Sequence, residues 1–195
     1  MSNLELLEEK VDALYSAQNP ERAEWADWLY QNHIFVVADY GVRLAEQFAA
    51  KPELVAAASL LHDIADAVTS RFDAQHSTRS SELAKQLLSE SGFSDEEISV
   101  VVEDAIRFHS CRDGQAPVSI EGRVMAAADA LAHLKTDFYQ YGVSMMQKDK
   151  SIDEIKKWAL PKIERDFKEK IFDDGIRQTV ADDYERVKAF INNLE

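Results

Sequence analysis

An imidazole and two carboxylates stand close together in an otherwise apolar stretch: His62, Asp63 and Asp66 within LVAAASLLHDIADAV, residues 54–68. Val55, Ala58, Leu61, Ala65 and Val68 recur every three or four residues, the spacing of a helix packed on a core. Burying such groups is costly unless something compensates for the lost water. On a continuous helix His62 lies above Asp66, and Asp63 lies above Asp66, so all three point into one cavity. A divalent cation would compensate all of them at once.

The remaining chemistry is spread thinly. The chain has five histidines: His33, His62, His76, His109 and His133. The first four fall on four separate elements, near helix joints or ends or inside residues 54–68, as suits a site where several helices converge. Asp129 stands between Ala128 and Ala130 on an Ala-rich helix, where an unpartnered carboxylate would be expensive. His133, four residues further on, reads as a supporting or surface histidine rather than a ligand. Cys111 has no Cys or His partners at zinc spacing and reads as an inert thiol.

The elements that must position these groups read as helices almost throughout, with four prolines, six glycines and no β-alternation between turns. Residues 4–16 carry a helical stripe. Residues 21–48 read as two helices with a joint near Gln31-Asn32-His33, where Asn32 would cap the second. Pro52 suits the first turn of the helix that follows. A polar connector, 69–75, leads to a helix over 77–91 closed by Gly92. Ser94 to Glu97 is a capping box that starts a helix over 95–109. A loop over 111–118 precedes the helix bearing Asp129. Phe138, Tyr139 and Tyr141 read as packing at a joint, with a wall for a nucleobase as the alternative. Two charged amphipathic helices follow, 151–170 and 175–194, the first bent or interrupted by Pro161, with the charges of residues 152–170 forming a solvated face.

Composition bounds the function. The 195 residues fit one domain, and a hydrophobic content of 46% with 30% charged residues describes an ordinary globular protein. The net charge of −14 argues against nucleic-acid polymers and anionic membranes as partners, since both demand a basic footprint. A single cysteine fits a reducing compartment, and the acidic N-terminus lacks the order of a signal peptide, so a cytoplasmic location is expected.

The order His33, His62-Asp63, His76, His109, Asp129, with the contexts LLHDI, HSTRSSELAKQLL, IRFHS and AAADAL, resembles the HD-domain metal-dependent phosphohydrolase superfamily over residues 31–142. The resemblance implies an all-α HD-domain helical bundle in residues 1–142, with 143–195 as a C-terminal helical hairpin extension packed on the same domain and without a functional assignment. It implies His33, His62, Asp63 and Asp129 as ligands of one divalent ion, with Mn, Fe, Ni, Co or Mg suiting this donor set better than a closed structural zinc. His76 and His109 match positions that hold a second ion, with Asp63 bridging, or that hold substrate phosphate instead.

The implied activity is hydrolysis of a small phosphoester, a nucleotide being the leading substrate class, by metal-activated water. Asp63 and Asp66 are the expected catalytic carboxylates, Asp66 standing where some nucleotidase-like members carry a glutamate. Arg79 is the first candidate for a phosphate clamp, followed by Lys135, Arg43 and Arg112. Two other functions share the resemblance: a di-iron HD-fold oxygenase using the same six ligands, and a metal-containing nucleotide-binding regulatory module with little turnover. A homodimer is left open.

Overall fold

The computed structural model describes residues 1–17 and 19–195, and among these the regular elements are all helical. Helix α1, Asn3–Ser16, opens with a capping box in which Ser2 and Glu5 satisfy each other's backbone N–H groups, and it turns Leu7, Val11 and Tyr15 inward. Helix α2, Ala26–Leu29, passes through a π-helical turn, Tyr30–Ile34, directly into α3, Phe35–Phe48. The expected joint is thus a widened turn rather than a break. Asn32 does not cap: its Nδ2 donates to the Trp28 carbonyl at 3.0 Å, back along the same run. Helix α4, Pro52–Leu61, starts on Pro52 as expected.

Helix α5, His76–Glu90, ends at Gly92 with φ +86°, a conformation that side chains with a Cβ rarely adopt. Helix α6, Asp95–Ile98, begins with the Ser94–Glu97 box and continues as a π-helical stretch, Ser99–Ile106. Helix α7, Ile120–Lys135, is capped by Ser119, whose Oγ accepts the Gly122 N–H at 3.0 Å. It is buried on nearly every side from Val124 to Leu134. Helices α3, α4 and α7 pack on one another at the centre. The approach of α3 to α4 depends on Gly41, where a Cβ would come within 2.8 Å of Val55 Cγ1.

The C-terminal segment comprises α8, Phe138–Met146; α9, Ile152–Arg165; a π-helical turn, Asp166–Lys170; α10, Asp174–Thr179; and α11, Ala181–Asn192. Two expectations are corrected here. Helix α9 runs through Pro161 without interruption, because the carbonyl that the ring leaves unpaired belongs to the exposed Lys157 and can turn to water. The helix expected over 175–194 is broken at Val180 (φ −125°, ψ 9°), whose side chain is fully buried. Ile155, Ala159, Ile163, Tyr184, Val187 and Ile191 join the same apolar cluster as α1 to α7. Each buried Ile or Val contributes about 1.5–3 kcal/mol, which holds the segment firmly against the bundle.

Candidate metal centre

The helix expected over residues 54–68 stops at Leu61. His62 closes it, Asp63 leaves helical geometry (φ −119°, ψ 25°), and Ile64–Ala67 forms a 3₁₀ turn. The stacking of His62 and Asp63 over Asp66 is therefore not the reason they share a cavity. The reason lies in backbone hydrogen bonds outside the helix. Asp66 O accepts the Ala23 N–H at 2.9 Å, and the Ala65 N–H donates to Ser80 Oγ at 3.2 Å. With its polar groups satisfied by other elements, the buried chain can turn.

His62 uses the end of its helix. Its Nδ1–H donates to the Ser59 carbonyl, three residues back, at 2.8 Å. His109 repeats the arrangement, its Nδ1–H donating to the Ile106 carbonyl at 2.6 Å. A carbonyl can only accept, so in each ring Nδ1 carries a proton, and Nε2 is the nitrogen left to face the site.

His33, on the π-helical turn before α3, brings its Nε2 to 3.2 Å from Asp129 Oδ1, and His62 Nε2 lies 3.8 Å from the same oxygen. These three atoms lie within 4.8 Å of one another. All three are buried and none has a hydrogen-bond partner. Burial pushes the His33 imidazole down, with Asp129 opposing, and so favours its neutral form. Burial works against the Asp129 carboxylate, but His133, Lys170, His33 and His62 outweigh it and hold the group well below the usual range. Two imidazoles beside an ionised carboxylate form a donor set that fits a divalent ion of borderline or hard character. Buried groups of this kind need such compensation.

Asp63 lies beside this trio, its Oδ2 3.6 Å from His62 Nε2. The same oxygen accepts from Arg71 Nη2 at 2.8 Å, while Arg71 Nη1 donates to Asp66 Oδ2. His76 Nε2 donates to Asp66 Oδ1 at 2.9 Å. Burial opposes ionisation of Asp63, and Arg71, then His62, His76 and His109, overcome it and keep the carboxylate charged. The His109 imidazole is pushed down to about 4 by burial first, then by His62 and Lys170.

Asp63, His76, His109 and Asp129 all open onto a cavity of about 420 Å³. Arg71, Arg112, Lys162, Arg165 and Lys170 place positive charge on its wall, in a chain whose net charge is −14. Of the four Arg and Lys side chains expected to clamp phosphate, only Arg112 lines this cavity. Arg79 lies outside its wall, Lys135 pairs with Asp183 at 2.9 Å, and Arg43 pairs with Asp39 on the surface.

The C-terminal segment supplies groups that sequence reasoning missed. Lys170 donates to Asp129 Oδ2 and lies 3.4 Å from Asp166 Oδ1. Asp166 also accepts from Tyr139 Oη at 2.6 Å and lies 3.1 Å from His133 Nδ1. His133 is buried, stacks on His33 with ring centroids 4.9 Å apart, and places Nε2 3.2 Å from Asp129 Oδ1. The expectation of a solvated charged face over 151–170 is thus corrected at Asp166 and Lys170, both buried. A Lys four residues after an Asp reads as a solvated helix pair, and only the packing of the π-helical turn on α7 shows where both side chains go. Tyr139 is core and Tyr141 stacks on Trp28, while Phe138 lines the cavity and packs on both His33 and His133.

The HD domain profile matches residues 30–134, more than half of the chain. The chain belongs to the HD domain family. Its all-α fold is shared by the crystal structure of a predicted HD superfamily hydrolase from an uncultured Thermotogales bacterium. That structure is similar over 98% of this chain and 90% of that one, with a TM-score of 0.60 and 19% identity. No curated protein matches the chain. Among the described residues, no helix is long and apolar enough to cross a membrane. As an HD domain, the chain has its His33, His62 and Asp129 side chains, which could hold a metal ion, inside the matched region. Asp166 and Lys170, which complete their surroundings, lie beyond it.

Proposed function

We propose that this HD domain is a divalent-metal-dependent phosphohydrolase acting on a small phosphoester, with a nucleotide as the leading substrate class. The observation that carries the proposal is the trio His33 Nε2, His62 Nε2 and Asp129 Oδ1, buried, unpartnered and beside a cavity with cationic walls. His33, His62 and Asp129, with Asp63 beside them, would hold the ion. A divalent ion at that position supplies a water of lowered pKa and draws charge off the phosphoryl oxygens.

The chain's own groups do the rest. Arg71, Lys162, Arg165 and Arg112 attract the anionic substrate. Asp66 has both oxygens engaged, by Arg71 and His76, so its role here is to hold His76 at the cavity wall. Burial lowers the His76 pKa, but the hydrogen bond to Asp66 and the charge of Asp63 outweigh it and raise it above its ordinary value. That favours the imidazolium, the form that gives a proton to a leaving oxygen.

The test is a panel of phosphoesters assayed with added Mn²⁺, Co²⁺, Ni²⁺, Fe²⁺ or Mg²⁺. Turnover should require one of these ions, disappear with chelator, and be lost with bound metal in Asp63→Ala while helical content survives. Undiminished turnover by metal-free protein would overturn the proposal. Tight nucleotide binding without hydrolysis under every metal would favour the regulatory module instead.

A further inference from the structure

Asp63 and Asp66 are both buried, and Asp63 shares a cavity wall with His76 and His109. Two such carboxylates call for positive charge. The structure supplies it from the protein itself. Arg71 lies between them, Nη2 on Asp63 Oδ2 at 2.8 Å and Nη1 on Asp66 Oδ2. On its far side the guanidinium sits 5.6 Å from the centroid of the Trp25 ring. The connector that carries it is itself braced: Asp73 N–H donates to Ser70 O at 3.0 Å, Thr69 Oγ1 donates to Asp73 Oδ2 at 3.3 Å, and Phe72 packs edge-on against Trp25. Arg71 is thus held from three directions.

We infer that the Arg71 guanidinium takes the place of a second cation, so that the chain binds one divalent ion, at His33, His62 and Asp129, rather than two. The inference rests on the proposed metal-dependent reading and adds the ion count to it. Asp66 has no oxygen to offer, since Oδ1 is taken by His76 and Oδ2 by Arg71. His76 has likewise committed Nε2 to Asp66. Arg71 already holds Asp63 Oδ2, so a second ion bridged by Asp63 would face a fixed positive charge at contact range. Guanidinium also stays protonated at any working pH, so the position is filled at all times. A single ion excludes mixed-valent di-iron chemistry, which needs both positions.

The experiment is metal loading of the full-length protein with Mn²⁺ alone, and anaerobically with Fe²⁺ alone, followed by elemental analysis and EPR. Wild type should retain one ion per chain and give a mononuclear Mn²⁺ spectrum without exchange coupling. Arg71→Ala should take up a second ion and show a spin-coupled pair, while Arg71→Lys, which keeps a cation, should stay at one. Circular dichroism checks that each variant is folded, and the wild-type stoichiometry decides even if Arg71→Ala is not. Two ions in wild type would overturn the inference, as would folded Arg71→Ala retaining only one. Failure of wild type to bind either metal is a different result, and would overturn the metal-dependent reading itself.

Discussion

Lys170 and Asp129 form a buried ion pair between the C-terminal π-helical turn and the central helix α7. Lys170 takes Oδ2 of the carboxylate and leaves Oδ1 facing His33 and His62. A charged hydrogen bond of this kind fixes the plane of a carboxylate as well as its charge. The segment after residue 142 therefore orients a group inside the region that the HD domain matches, and its packing is part of how the site is built.

Removing that ammonium should be costly. Lys170→Met leaves both Asp129 and Asp166 short of a cation in a buried setting, where breaking one partner of an ion pair typically costs about 3–5 kcal/mol. Urea denaturation should show a loss of that size. A loss below about 1 kcal/mol, the range of an exposed pair, would mean that the pair is not desolvated as described.

Arg165 should bind substrate, and Arg79 and Lys135 should not. Arg165 lines the cavity, its Nε is buried without a hydrogen-bond partner, and no carboxylate pairs with it among the described residues. Arg165→Ala should raise KM about tenfold, the equivalent of about 1.4 kcal/mol for one charged hydrogen bond, with kcat little changed. Arg79→Ala and Lys135→Ala should leave KM unaltered. The reverse pattern in steady-state kinetics would move the phosphate to the Arg79 side of the molecule.

Lys162 predicts a pH dependence. Burial, opposed by Asp166 and reinforced by Lys170, pushes its ammonium down to about 8. Between that value and the ordinary lysine pKa of about 10.4, the folded chain binds fewer protons at this site than the unfolded chain. The Lys162 contribution to stability therefore rises with pH through that window. Below it, the charged form is present at a cost and is available to the substrate. KM for an anionic phosphoester should climb above pH 8 as the charge is lost, and Lys162→Met should flatten that climb. An identical climb in the variant would assign the titration elsewhere.

Much of this fold is legible locally. The capping boxes at Ser94 and Ser151, the Ser119 cap, Pro52 at a first turn and Gly92 after α5 are short-range signals, and each marks a real boundary. Two members of the three-group cluster, His62 and Asp129, are legible as well, because a histidine-aspartate pair in an apolar run and an aspartate among alanines are hard to bury without compensation, whereas His33 enters only through the family resemblance. The helix end at Leu61 is not legible, since residues 62–68 keep helical spacing and only Ala23 and Ser80, from distant elements, draw the backbone away. Arg71 hides for the same reason. It sits in a polar connector where an arginine is ordinary, and its partners are revealed only by the turn that precedes it.

The most direct test of the site is a crystal grown with Mn²⁺ and measured at a wavelength where manganese scatters anomalously. A single strong peak is expected within coordination distance of His33 Nε2, His62 Nε2 and Asp129 Oδ1, and it should vanish in Asp129→Asn. Well-ordered density for these three side chains with no anomalous peak between them, at saturating Mn²⁺, would contradict the assignment of this cluster as the metal centre.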